Sequence, residues 1–221
     1  MLKKIASKLP IRLQQEMKKY YFRRKIKKGL FCSDELEFNL LEKLIVPGDF
    51  VIDVGANIGH YTLKFSKLVG DRGHVIAMEP IPATFELLVS NAGCIPCQNV
   101  TFFNCAASSS SAFSGFDLPE FENGLINYYR AHLTDQSGEF SALCLPIDCL
   151  DLDNSVRLVK IDVEGHEYAV LLGMEKILSR DHPVLIVEGF DDNVTTFLVS
   201  LDYKVKRLAG SPNRIFYYGS L

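Results

Sequence analysis

Two short stretches of the chain bring together residue types that can cradle a positively charged ligand and move a proton. The first is Asp53-Val-Gly55-Ala-Asn57-Ile-Gly59, an acid followed at once by a glycine turn. The second is Lys160-Ile-Asp162-Val-Glu164-Gly165-His166-Glu167, in which a lysine and three acids surround a histidine. Glycine lets the backbone turn sharply and lets a ligand approach with no Cβ in the way. His166 is the candidate general base, because a neutral imidazole can accept a proton near pH 7, and Asp162 or Glu164 would orient it. Plainer roles compete with these. The glycines could merely close a strand-to-helix turn, His166 could face solvent in a helix's first turn, and Asp162 could simply balance Lys160.

The spacing of the first stretch narrows its ligand. A dinucleotide loop reads Gly-x-Gly-x-x-Gly, with the middle glycine against a pyrophosphate, and Ala56 and Asn57 break that pattern. A ligand without phosphates, such as the nucleoside of S-adenosylmethionine, suits it better. Glu79 follows Gly55 by 24 residues, near the spacing of about 20 at which Rossmann-like domains place an acid on ribose hydroxyls. Its two oxygens can accept from both hydroxyls of a cis-diol. Capping the next helix is the alternative, against which Pro80 and Pro82 hold the chain extended first. Asp162, His166 and Glu188 could also hold a divalent metal that activates a hydroxyl; the expectation is a site without one.

These residues need elements to carry them. Phe50–Val54, His74–Met78, Val100–Phe103, Arg157–Val163 and Pro183–Val187 read as apolar strands, alternating with helices after residues 58, 82, 167 and 193. Ser33 is a candidate cap for a helix bearing Leu36, Leu40, Leu41 and Leu44 on one face. Tyr203–Leu208 and Arg214–Tyr218 read as a closing hairpin. The fold expected is α/β: a doubly wound, mostly parallel seven-stranded sheet, Rossmann-like, with a C-terminal antiparallel hairpin. Asp53, Glu79, Asp162 and Glu188 then fall at strand ends, where open α/β sheets bind ligands. Residues 108–145 interrupt the rhythm with a serine run and scattered aromatics, and read as inserted loops and short strands covering the site.

Composition places the chain among ordinary globular proteins, with 48% hydrophobic and 23% charged residues in 221. No apolar run reaches the roughly 18 residues of a membrane span, and no secretory leader is evident, so a cytoplasmic location is the expectation. Six scattered cysteines suit a reducing compartment, and Cys94-Ile-Pro-Cys97 lacks the second ligand pair of a zinc site. The net charge of −3 is unevenly spread: residues 1–31 carry 11 Lys and Arg against Glu16 alone, leaving an acidic remainder. Residues 1–32 therefore read as a basic helical arm on a domain of 33–221, with Leu13, Met17, Tyr20, Tyr21 and Ile26 along one side. Such an arm could touch anionic membrane peripherally, bind nucleic acid, fold onto the acidic body or stay solvated.

Taken together, Asp-Val-Gly-Ala-Asn-Ile-Gly (53–59), Ala-Met-Glu-Pro (77–80), Asn-Cys-Ala-Ala (104–107), Lys-Ile-Asp-Val-Glu-Gly-His-Glu (160–167) and Pro-Val-Leu-Ile-Val-Glu (183–188) resemble the FkbM-type methyltransferases. The resemblance covers about residues 33–190. It implies a class I fold that uses S-adenosyl-L-methionine, commonly to O-methylate a hydroxyl of a sugar, glycan or natural product, so a small-molecule or glycan acceptor is the expected partner. By the same resemblance Gly55, Asn57 and Gly59 would pass beneath the methionine part of the cofactor, Glu79 would hold its ribose and Ala106 would lie near adenine. Asp53 and Asp162 would flank its cationic groups. The catalytic set would be His166, Asp162 and Glu164. Two rivals stand beside this reading: an N-methyltransferase acting on RNA or protein, and a binding module that keeps the cofactor but performs no chemistry. The Asn/Asp-Pro-Pro-Tyr/Phe signature of amino-group methyltransferases is absent after the strand ending in Asp162, which also disfavours nucleic acid as a partner.

Overall fold

In the computed structural model, which describes residues 9–96, 98–117, 132–134 and 140–220, the strand Phe50–Val54 (β1) shows why the sheet is covered twice. Val51 packs with Phe38, Leu41, Tyr61 and Phe65 on one face. Ile52 and Val54 pack with Val170, Leu171 and Leu178 on the other. Alternate side chains of one strand thus enter two cores, as a parallel sheet with helices on both faces requires.

The chain begins with the helix Ile11–Lys27 (α1), a 3-10 turn at Leu36–Asn39 and a single helical turn, Leu41–Leu44 (α2). After β1 come His60–Val69 (α3), His74–Met78 (β2), Pro82–Ala92 (α4), Val100–Phe103 (β3) and the two-residue strand Ala106–Ala107 (β4). Ala112–Asp117 (β5), His132–Thr134 (β6) and Phe140–Leu145 (β7) join β4 in a second sheet, ordered β4-β7-β5-β6. Val156–Ile161 (β8), Glu167–Leu172 (α5), Glu175–Asp181 (α6), Val184–Glu188 (β9), Asp192–Ser200 (α7), Lys204–Arg207 (β10) and Asn213–Tyr217 (β11) complete the fold. The main sheet runs β10-β11-β9-β8-β1-β2-β3, parallel except for β11 and β10, which close it as an antiparallel hairpin. The α/β class, the seven strands and the hairpin agree with the sequence reading. Chain order reverses between β1 and β8, so a crevice opens at the carboxyl ends of those two strands. Among the described residues no helix is long and apolar enough to cross a membrane.

Two local expectations need correction. The helix expected from Glu167 to Leu178 breaks at Gly173, because a Cβ there would stand 2.0 Å from the Ser108 carbonyl oxygen; close backbone approach, not propensity, decides the break. Ser33 does not cap a long helix: its hydroxyl accepts from the Glu35 amide, and the 3-10 turn and α2 follow instead, with Leu36 exposed. In α1, Leu13, Met17, Tyr20 and Tyr21 point away from the protein, while Gln15 is buried and Lys19 and Arg23 reach Glu86 and Ser90 of α4. Of the Cys94–Cys97 pair, Cys97 lies outside the described residues, as do most of 118–139.

The 3-10 turn is fastened by a buried acid. Glu37 is fully buried and accepts hydrogen bonds from Ser211 (2.7 Å), from Tyr61 (3.2 Å) and from the Asn213 side chain. One carboxylate therefore ties the N-terminal segment to α3 and to β11, and removing it takes the acceptor from Ser211 and from the buried Asn213 amide, while Tyr61 keeps Glu35. Glu37→Leu should lower stability by about 3 kcal/mol, which urea denaturation would measure; a loss under about 0.5 kcal/mol, the size of an ordinary surface change, would show that the clamp contributes little.

Candidate active site

Two backbones meet at the crevice more closely than any side chain would allow. A Cβ on Gly55 would stand 1.8 Å from the Asp162 carbonyl oxygen, and its φ of +74° is one that glycine adopts freely. The Asp162 amide donates to the Val54 carbonyl (3.1 Å), and the Gly55 and Ala56 amides both donate to Met78 (3.0 and 2.9 Å). The ends of β1, β2 and β8 are thereby locked side by side around a cavity of about 230 Å³.

Gly55, Asn57, Glu79, Ala106, Asp162, Glu164 and His166 all line this cavity, so the structure brings most of the expected site together. Glu79 is buried, and both its oxygens are engaged: Oε2 accepts from the Asn57 amide and Oε1 from the Ile81 amide, each at 2.9 Å. Its first structural task is to pin two loops, and its remaining lone pairs are what a ligand could use. Burial pushes its pKa up to about 7, against the pull of those two amides.

Two expected residues are placed elsewhere. Gly59 caps α3 at φ +94° where a Cβ would meet Leu88 at 2.7 Å, so it serves the packing of α3 on α4 and does not line the cavity. Asp53 is buried and is not among the lining residues: Oδ2 accepts from Thr62 (2.5 Å), and Oδ1 is buried without a hydrogen-bond partner. Burial pushes its carboxyl up to about 6.

Lys160 balances this buried acid. Its ammonium is buried, donates to Asp162 Oδ2 (2.7 Å) and lies 4.6 Å from the centre of the Tyr61 ring. Burial alone would lower its pKa, but the carboxylates of Asp162 and Asp53 outweigh that and raise it. Tyr61 donates in turn to Glu35 (2.5 Å), and Glu35 lines the cavity. Asp162 and Glu188 share a hydrogen bond and hence one proton between two carboxyls. That bond, with burial, pushes Glu188 up to about 9. Burial would raise Asp162 as well, but Lys160 and the bond from Glu188 prevail and hold it below its ordinary value.

His166 opens α5 from a tight turn in which Glu164 has φ +54°, and Glu167 accepts from the Gly165 amide (3.0 Å) to hold that turn. The His166 Nε2 lies 2.9 Å from the Ser108 hydroxyl, a partner the sequence reading did not name. Ser108 is itself held by its amide on Leu145 (3.0 Å) and by the contact with Gly173. Ligand oxygens of Asp162, Glu164 and Glu188 lie within 4.8 Å of one another and could hold a cation; this grouping has Glu164 where the sequence reading had His166. Glu35, Tyr61 and Ser108 were missed as site residues. Glu35 and Tyr61 carry no motif of their own, and Ser108 opens a serine run that reads as the start of the insertion.

A family model described as the methyltransferase FkbM domain matches residues 53–205. The hexuronic acid methyltransferase AglP of Haloferax volcanii is 31% identical over 157 residues, which are 69% of this chain and 62% of that protein. The crystal structure of methyltransferase FkbM from Methylobacillus flagellatus superposes with a TM-score of 0.54 at 17% identity, over 77% of this chain and 44% of the other. Aeropyrum pernix fibrillarin, solved with natively bound S-adenosyl-L-methionine, superposes with a TM-score of 0.50 at 14% identity, over 80% and 71%. The chain thus spans less than two thirds of the length of the curated relative it matches.

The raised carboxyls make stability depend on pH in a definite direction. Folded Glu79 and Glu188 keep protons that the unfolded chain releases above its ordinary value of about 4.5. Their stabilisation is therefore full below that value and is lost as pH rises through about 7 for Glu79 and about 9 for Glu188. Melting temperature should fall between pH 5 and pH 9, and Glu188→Gln should flatten the part of the slope between 7 and 9. An unchanged slope in the variant would assign the titration elsewhere.

Proposed function

The chain belongs to the FkbM methyltransferase family, and from that premise we propose that it methylates an oxygen of a sugar or related natural product, using S-adenosyl-L-methionine. The observation that carries this reading is the lining of the crevice. Among its described residues five carboxyl groups, Glu35, Glu79, Asp162, Glu164 and Glu188, face one small cavity with no lysine or arginine among them. A phosphate-bearing cofactor would find no cationic partner there, whereas a ligand carrying sulfonium and amino groups meets complementary charge. Bound there, S-adenosyl-L-methionine supplies an electrophilic methyl group on a positively charged sulfur.

Glu79 would hold the ribose through its free lone pairs, Ala106 would leave room for the adenine, and Gly55 and Asn57 would pass beneath the methionine portion. Asp162 would face the cationic groups, while Asp53 and Gly59 support that floor from beneath. His166 takes the proton of the acceptor hydroxyl, and Ser108 holds one ring nitrogen so that the imidazole keeps one orientation. Holding the acceptor in one place supplies much of the remaining acceleration. The likeness to a hexuronic acid methyltransferase supports a sugar as acceptor.

Purified protein given labelled cofactor should transfer label into glycan or lipid-linked saccharide extracts and not into RNA or protein extracts; the reverse pattern removes the sugar reading. With the acceptor in hand, His166→Gln should lower kcat by about 10²- to 10⁴-fold, the usual worth of a general base, while calorimetry finds cofactor affinity unchanged. Full activity in that variant would point to an acceptor oxygen that needs no base, as a carboxylate does.

A further inference from the structure

The amphipathic arm turns its apolar side away from the body. Gln15, Lys19 and Phe22 face the body: Lys19 pairs with Glu86 (2.6 Å), Arg23 reaches Ser90 (3.2 Å), and Phe22 stacks edge-on against Phe31, which packs on His60. The opposite side carries Leu13, Met17, Tyr20 and Tyr21, and with Leu30 just beyond the helix these are between 48% and 65% exposed. Arg24 and Lys25 lie over the rings of Tyr20 and Tyr21, 5.8 and 5.7 Å from their centres. Within residues 9–31 the only acid is Glu16, which is paired with Lys19, against eight Lys and Arg.

We propose that this outward face of α1 docks on an anionic lipid surface. The chemistry of the face selects that occupant. Tyrosines and long basic side chains each place an apolar stem below a polar tip, which matches the boundary between acyl chains and headgroups. The cationic excess matches anionic headgroups. A second copy of the chain fits less well. Two copies of this face would set like charges against each other, since residues 9–31 carry eight Lys and Arg against Glu16 alone, which Lys19 already pairs. Five residues of chain, at most about 18 Å, join Leu30 to the cavity-lining Glu35, so docking would keep the crevice near the bilayer. The inference does not depend on which group is methylated.

The test is sedimentation of the full chain with vesicles of pure phosphatidylcholine and with vesicles containing about one third phosphatidylserine. Binding is expected to the anionic vesicles only, to weaken with added salt, and to drop about fivefold for each basic residue neutralised in Arg24→Gln and Lys28→Gln. Met17→Glu with Tyr20→Glu should abolish it, and since both side chains face solvent, an unchanged far-UV spectrum and melting temperature would show that the fold persists. Equal binding to neutral vesicles, no binding to either, or binding undiminished by these substitutions overturns the proposal. So does a dimer in sedimentation velocity that the same substitutions dissolve, or a gel shift with RNA in the absence of vesicle binding.

Discussion

Three charges share the buried space under the crevice, and it is the Lys160 ammonium that makes the other two tolerable. Asp53 and Asp162 end neighbouring strands, and two carboxylates in so little water would repel each other and lose their solvation together. With Lys160 against Asp162, and with Asp53 also raising its hold on a proton, one positive charge offsets half of the negative charge of the pair, and burial pushes the Asp53 carboxyl up to about 6. The Tyr61 ring covers the ammonium from the α3 side and passes the polar chain outward to Glu35 and Glu37. The floor of the cavity, the first turn of α3 and the segment before β1 are thereby one electrostatic unit. A hydrophobic residue in place of Lys160 would leave the two acids unbalanced where the sheet is least able to accommodate them.

Above that floor the site is shaped by backbone more than by side chains. The contact of Gly55 with the Asp162 carbonyl and the two amides held by Glu79 set the loops at spacings that no longer residue could reach. The rim, by contrast, is carboxyl-rich and shares protons. The Asp162–Glu188 pair holds one proton between two groups, so the charge facing a ligand is smaller than the count of acids suggests.

Much of this was legible in the sequence because strong local signals agreed with the global fold. The stretches His74–Met78 and Val100–Phe103 are apolar runs bounded by turn residues, and both are strands with those bounds. Acids ending such runs gather at one rim because parallel strands all present the same end. What the sequence hid has equally physical causes. Gly173 breaks a helix only because a distant carbonyl, that of Ser108, needs its place. Ser108 itself carries no signal, since its meaning lies in a histidine 58 residues away. Periodicity found the two sides of α1 but could not say which side the body takes; the body takes the side of Gln15, Lys19 and Phe22.

The second sheet hangs from the main fold at β4 and β7, which pair in parallel through Ala106 with Cys144 and Ala107 with Leu145. Its strands β5 and β6 pair antiparallel, β6 at the edge, and β5 contributes Phe116 to the cavity wall. Lengthening the connection between those strands costs little, because loop-closure entropy grows only with the logarithm of length, and Ser108 stays pinned by Leu145 and Gly173. The architecture therefore separates a pinned half from a tolerant one: the connection from β5 to β6 can change length while the histidine's anchor and the floor beneath it stay where they are.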